Sequence, residues 1–225
     1  MKKHIPNAIT CCNLICGCIA TVQAVQGHAD VALLFIVIGA VFDFFDGMTA
    51  RLLHVSSPIG KELDSLADVV TFGVAPSAII FAYLQSEYST TEASMAFIMA
   101  AFSALRLAKF NLDERQALGF IGLPTPANAL FWGALSIGLD GMEYAPYIVM
   151  AAVPVSCYLL VSEIPMFALK FKSWGWKGNE VKYIFLLTCI PLFVLPLILF
   201  QSIIGLAAVI AWYVILSVCT QRNKN

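Results

Sequence analysis

Apolar runs of about twenty residues, the length that crosses the hydrocarbon core of a bilayer, recur from one end of this chain to the other. They fall at 5–26, 30–53, 64–86, 92–110, 125–139, 145–163, 183–200 and 202–220. The fifth is short and almost nothing separates the last two, so seven spans stands as the alternative count. Backbone in hydrocarbon must satisfy its own hydrogen bonds, which makes such runs helices. Of the 225 residues, 60% are hydrophobic and 12% charged, about half the charged share of a soluble domain. The expected fold is therefore all-α, a polytopic transmembrane bundle of about eight spans, with 1–225 as a single membrane-embedded domain. Met1-Lys2-Lys3-His4 runs into a span holding Pro6, Asn7, Thr10 and Asn13. That is unlike a signal peptide's short apolar region and small-residue cleavage site, so the first span is expected to be retained.

The basic residues set the expected orientation. Lys2 and Lys3 precede the first span, Arg51 and Lys61 lie between the second and third, and Arg106, Lys109 and Arg115 follow from the end of the fourth. Lys170, Lys172, Lys177 and Lys182 lie between the sixth and seventh, and Arg222 and Lys224 end the chain. The opposite connections (Gly27–Ala29, Ser86–Thr91 and Gly138–Ala145) carry no Lys or Arg. Positive charge accumulates on the cytoplasmic side, so an even span count with both termini cytoplasmic is expected. The segment from Lys170 to Lys182, with Trp174 and Trp176, has the composition of an interfacial loop or helix.

Within these apolar runs lies the pattern D-x2-D-G-x2-A-R-x8-G-x3-D-x3-D, at Asp43, Asp46, Gly47, Ala50, Arg51, Gly60, Asp64 and Asp68. Ionisable groups at membrane depth are costly and mark function. Spacings of three and four put Asp43, Asp46 and Ala50 on one face of the second span. Gly60, Asp64 and Asp68 form a second single-faced row at the start of the third. Ser56-Ser57-Pro58 is a turn with a helix-start signal, so the two rows are expected to face each other as a four-carboxylate cup open to the cytoplasm. Four acids against one arginine do not balance as a structural salt-bridge network. They suit one or two divalent cations with oxygen ligands, and through them metal-assisted phosphoryl transfer. Arg51 suits a phosphate clamp. Asp68, the deepest acid along the third span, is the candidate general base. A cation transporter using the acids as an ion path is the rival from another class; it predicts acids spread through the membrane depth and helices broken near the midplane.

Other polar signals are weaker. Cys11, Cys12, Cys16 and Cys18 crowd one helix, and Cys157, Cys189 and Cys219 lie in later spans. With no His or Cys cluster to complete a site, they are expected to be packing residues. His4, His28 and His54 are single and loop-placed, with no expected role, and Glu62 and Glu163 are expected to be solvated. Asn13 reads as a polar contact between helices.

The eight-position pattern resembles the signature of the CDP-alcohol phosphatidyltransferases, integral membrane enzymes that exchange the CMP of a CDP-linked lipid for an alcohol. The resemblance implies a six-span catalytic core followed by extra C-terminal spans. It implies two divalent metals, Mg²⁺ or Mn²⁺, on Asp43, Asp46, Asp64 and Asp68, with Asp68 as base. It implies that Gly47, Ala50 and Arg51 line the CDP site, with Ser57 near the phosphates. Pro6-Asn7-x-x-Thr10 looks like the family's entry motif, which would add Asn7 and Thr10 to the nucleotide contacts. Their plainer roles are helix capping and packing.

Three further stretches are similar to the serine-accepting, membrane-integral branch of the family: 64–76, Leu105-Arg-Leu-Ala-Lys-Phe-Asn111, and Phe120-Ile-Gly-Leu-Pro-Thr-Pro-Ala127. The resemblance then implies CDP-diacylglycerol and L-serine as substrates, CMP as a product, membrane lipids and a second copy of the chain as partners, and no nucleic acid. It places the protein in a bacterial or archaeal cytoplasmic membrane. A serine carboxylate needs a cation, which makes Arg106, Lys109 and Asn111 the expected acceptor contacts, with snorkelling as the plainer role of both cations. The Gly122–Pro126 turn either shapes the acceptor side or simply starts the fifth span. The alternative acceptors are glycerol 3-phosphate, inositol phosphate and choline; a phosphorylated one would draw on Arg106, Lys109 and Arg115 together.

Overall fold

A computed structural model describes residues 4–55, 57–113, 120–167, 175–176 and 179–222. Lys2, Lys3, Ser56, Arg115, Lys224 and most of the expected interfacial segment from Lys170 to Lys182 lie outside these residues. Every expected apolar run is helical. The helices are α1 (His4–Val25), α2 (Ala29–Leu52), α3 (Pro58–Asp68), α4 (Ala75–Leu84), α5 (Thr90–Ala93), α6 (Ile98–Leu112), α7 (Thr125–Gly138), α8 (Ala145–Val161), α9 (Glu180–Phe200) and α10 (Ile204–Arg222). Among the described residues, five helical stretches are long and apolar enough to cross a membrane: His4–Val25, Ala29–Leu52, Pro58–Leu84, Thr90–Leu112 and Glu180–Phe200. The remaining apolar helices are shorter.

The third span begins at Pro58, before the apolar run expected from residue 64. Ser57 adopts an extended backbone and its Oγ accepts a hydrogen bond from the Gly60 N–H at 3.0 Å, with Pro58 in the first turn. Capping chemistry, not hydropathy, sets that start, so Gly60, Asp64 and Asp68 sit inside a formed helix. Between α3 and α4 the helix widens into a π turn over Val69–Val74, a feature that hydrophobic periodicity does not reveal. The fourth span opens on a capping box formed by Ser89 and Glu92.

Small residues let the first three spans close up. A Cβ on Gly17 of α1 would lie 2.8 Å from Thr71 Cα, and one on Gly39 of α2 would lie 2.6 Å from Thr71 Cγ2. The π turn therefore wedges between α1 and α2 with no space for a larger residue. Around it, Ala20, Ala32, Ile36, Phe72, Ile79 and Ala129 form one apolar core. A second joins α4, α6, α7 and α8 through Ile80, Met99, Trp132, Val149 and Leu160. The last helix packs on α2 and α7 through Leu33, Ala134 and Ala207, and α9 lies outermost, with Phe185 its one buried residue.

A short antiparallel pair, β1 (Phe120–Ile121) with β2 (Pro165–Met166), ties the connection before α7 to the one after α8. Gly122 follows it at φ +76, where a Cβ would meet the Leu160 carbonyl oxygen at 2.6 Å. Only glycine fits that conformation and that space. The 122–126 turn thus fixes the entry of α7 against α8.

Candidate active site

The helix start at Ser57 and the helical spacing of the acids bring α2 and α3 together at one end of the bundle. One carboxylate oxygen from each of Asp43, Asp64 and Asp68 lies within 4.8 Å of the others. Asp46, one turn along α2, turns to a different neighbour: its Oδ2 accepts a hydrogen bond from Thr10 Oγ1 at 2.6 Å. Asp68 Oδ1 accepts one from Asn13 Nδ2 at 3.1 Å. Both donors are neutral and both come from α1. The expected cup is therefore a three-acid cluster with a fourth acid beside it, and α1 supplies its inner wall.

The chemistry of these donors suits a divalent cation. Three anionic oxygens this close repel one another unless a cation sits among them, and Asp64 Oδ1 is buried with no hydrogen-bond partner among the described residues. Hard oxygen donors of this kind match Mg²⁺, Mn²⁺ or Ca²⁺.

Beside the acids opens a cavity of about 690 Å³. Asn7, Thr10, Gly47, Ala50, Arg51 and Ser57 all line it, together with Asp46 and Asp64. All six residues expected at the nucleotide are thus brought to one space. A Cβ on Gly47 would meet only Arg51 Nη2, at 3.8 Å, so the glycine keeps that wall low and the guanidinium lies over it. The N-terminal end of α3 also faces the cavity, through Ser57 and Gly60. The positive end of its helix dipole favours an anion. Ser57 Oγ is already engaged as the helix cap, so it lines the site as part of that turn.

Sequence reasoning missed two polar cavity residues. His54 and Lys61 line the space; one had no assigned role and the other counted only as an orientation charge. It also left Asn13 without a role at the acids. No spacing rule links Asn13 to Asp68, since the contact joins separate spans.

The three expected acceptor residues part company. Arg106 is buried, with its guanidinium carbon 5.1 Å from the Phe110 ring and 5.8 Å from the Phe120 ring. Its Nε and Nη2 have no hydrogen-bond partner among the described residues, and the charges of Asp68 and Tyr213 act on it. Lys109 is exposed in the last turn of α6. Asn111 braces α6 to α3: its Nδ2 donates to Ser65 Oγ at 2.7 Å and its carbonyl accepts from Lys61 Nζ at 2.8 Å.

The sequence pattern described as CDP-alcohol phosphatidyltransferase matches residues 3–161, which takes in every residue of this site. The chain belongs to the CDP-alcohol phosphatidyltransferase family. Among its relatives, a protein of Bacillus subtilis named CDP-diacylglycerol–serine O-phosphatidyltransferase is 36% identical over 162 residues, covering 72% of this chain and 89% of that one. A Helicobacter pylori protein of the same name is 29% identical over 231 residues, covering 98% and 96%. One from Methanocaldococcus jannaschii is 36% identical over 126 residues, covering 56% and 57%. The family match stops at the end of α8, so α9 and α10 lie beyond it.

Proposed function

We propose that this chain is a phosphatidylserine synthase, transferring the phosphatidyl group of CDP-diacylglycerol to the hydroxyl of L-serine and releasing CMP. The observation that carries this reading is the cluster of Asp43, Asp64 and Asp68 opening beside a cavity walled by Asn7, Thr10, Gly47, Ala50, Arg51 and Ser57. The names of the relatives support serine as the acceptor.

Asp43, Asp46, Asp64 and Asp68 would hold two divalent cations, Mg²⁺ or Mn²⁺, which when bound neutralise a pyrophosphate and polarise its phosphorus. The chain's own groups do the rest. Gly47 and Ala50 leave room for the nucleotide against α2, and Asn7 and Thr10 offer polar contacts from α1. Arg51 and the N-terminal end of α3 receive phosphate oxygens. Arg106 takes the serine carboxylate, with Lys109 and Asn111 at the rim. Asp68, oriented by Asn13, accepts the serine hydroxyl proton through its other oxygen. The serine oxygen bonds to the lipid-bearing phosphorus as the bond from that phosphorus to the CMP oxygen breaks. CMP leaves with the bonding pair, its charge met by Arg51.

This reading includes an eight-span topology with both termini and the acids on the cytoplasmic side of a bacterial or archaeal membrane. The one-sided distribution of Lys and Arg supports it. It also includes one membrane domain over 1–225, supported by the packing of α10 on α2 and α7, and a homodimer, as the family resemblance implies.

The test is CMP release by purified protein with CDP-diacylglycerol and Mn²⁺ or Mg²⁺, offering serine, glycerol 3-phosphate, inositol phosphate and choline in turn. Release with serine alone is expected. Release with another acceptor would keep the carboxylate site and discard serine, and failure with all four in folded protein would overturn the enzymatic reading.

A further inference from the structure

Four fully or almost fully buried polar side chains outside the acid cluster carry atoms with no partner among the described residues: Ser103 Oγ and Arg106 Nε and Nη2 on α6, and Thr125 Oγ1 and Asn128 Nδ2 on α7. Ser103, Thr125 and Asn128 are 0% exposed and Arg106 is 6% exposed. Buried polar atoms are almost always satisfied, by protein, water or a ligand. Finding them on two neighbouring helices calls for a common explanation.

Two contacts fix how these helices face each other. At one end the Arg106 guanidinium lies 5.8 Å from the ring of Phe120, just before α7. At the other, Ser156 Oγ of α8 donates to Asn128 Oδ1 at 2.5 Å and lies 3.8 Å from Met99 Sδ of α6. Met99, Ser103 and Arg106 are spaced by four and three, so they share one face of α6; Thr125 and Asn128, three apart, share one face of α7. The chain thus runs antiparallel between the two ties, over about 10 Å of α6. In the chain, Ser103 falls between Met99 and Arg106, and Thr125 between Phe120 and Asn128. Ser103 also abuts Gly73 of the π turn, where a Cβ would lie 3.1 Å from Ser103 Cβ. The four buried polar residues thus lie along the α6 and α7 side of the bundle, from Arg106 to Asn128.

We infer that these four residues bound the acceptor subsite, a polar chamber built for a small amino-acid zwitterion, with Ser103 and Thr125 as its specificity-determining residues. The inference rests on the proposed phosphatidyl transfer and deepens it. Among the described residues no anion pairs with the buried Arg106, a condition costly enough to demand one, and a carboxylate matches its fork. The two hydroxyl oxygens then accept from the ammonium group. Asn128, its carbonyl held by Ser156, closes the inner end with a free N–H donor. An acceptor lacking the amine would leave both hydroxyls unpaired in a buried site, which is how polar pockets reject close analogues.

The test uses the full chain in lipid nanodiscs with CDP-diacylglycerol and Mn²⁺, comparing L-serine with 3-hydroxypropionate, which is serine without its amine. Thr125→Val and Ser103→Ala are each expected to raise the KM for L-serine by about tenfold or more, a loss in the range of one buried hydrogen bond to a charged group. The KM for CDP-diacylglycerol should stay within about twofold, and the preference for L-serine over 3-hydroxypropionate should shrink. Thr125→Ser, which keeps the hydroxyl, should restore both, and it serves as the probe where Thr125→Val does not fold. An unchanged serine KM in folded variants, or equal losses with both acceptors, would overturn the inference and leave water as the occupant of the chamber. Wild-type protein that prefers a different acceptor would instead refute serine transfer; the same variants tested on that acceptor then decide the chamber separately.

Discussion

Asn13 and Asp68, on the first and third spans, are joined by a 3.1 Å hydrogen bond from the asparagine amide to the carboxylate. The same asparagine accepts, on its backbone carbonyl, a 3.0 Å hydrogen bond from Thr71 Oγ1 in the π turn. One residue of α1 thus grips the third span just before its helix widens and again within the widened stretch. The π turn adds a residue to the local winding just after Asp68, and α1 holds that altered winding in register with the acids.

Removing the Asn13 amide should therefore harm catalysis more than binding. Asn13→Ala is expected to lower kcat by about ten- to a hundredfold, as for loss of a hydrogen bond to a charged group, with the KM for CDP-diacylglycerol little changed. Steady-state CMP release against lipid concentration checks this. A rise in KM at constant kcat would mean that Asn13 serves the nucleotide instead.

Substitution within the acids should separate holding a cation from moving a proton. Asp68→Asn is expected to abolish turnover while largely sparing CDP-lipid binding. Asp43→Asn and Asp64→Asn should weaken Mn²⁺ binding as well as turnover, measured by titration calorimetry. Parallel loss of lipid binding and turnover in Asp68→Asn would sink its assignment as base.

Cation binding should also stabilise the fold. Asp43, Asp64 and Asp68 bring carboxylate oxygens within 4.8 Å of one another, so a cation that binds only the native arrangement raises its stability by mass action, about 2.7 kcal/mol at a hundredfold excess over Kd. The thermal midpoint should rise with added Mn²⁺ and fall on chelation. Asp64→Asn should blunt the shift; an unaltered shift in that variant would place the cation elsewhere.

Two glycines should answer an alanine substitution in opposite ways. At Gly17 the new Cβ meets Thr71 backbone at 2.8 Å, so Gly17→Ala is expected to lower stability by about 1–3 kcal/mol through overpacking. At Gly47 the Cβ has open space, the nearest atom being Arg51 Nη2 at 3.8 Å, so Gly47→Ala should hold or raise stability by up to about 1 kcal/mol. It should nonetheless raise the KM for CDP-diacylglycerol, because the methyl group enters the cavity. Thermal melts with parallel kinetics test both, and an unaffected KM in Gly47→Ala would remove Gly47 from the nucleotide wall.

What was legible in the sequence was whatever depends on residues close together in the chain. The apolar runs predicted every long helix because each must satisfy its own backbone. The three- and four-residue spacings of Asp43, Asp46, Asp64 and Asp68 placed the acids on single faces. The third span's true start at Pro58 was also encoded locally, in Ser57 and Gly60, although hydropathy pointed to a later one. The entry motif Asn7 and Thr10 was recognised by resemblance, and the structure brings both to the cavity.

The amino-acid sequence by itself determined the helical membrane architecture, the acidic rows and the family. Tertiary structure alone decided that Asp46 turns to Thr10 while the other three acids cluster, that Asn13 orients Asp68, that Asn111 braces α6 to α3, and that Ser103, Arg106, Thr125 and Asn128 are buried together with their polar atoms unpartnered among the described residues. The reason is physical. Periodicity reports which face of a helix a residue occupies, but rotation, depth and partner are set by how whole helices pack. Here that packing is governed by contacts such as Gly17 and Gly39 against Thr71, between residues far apart in the chain.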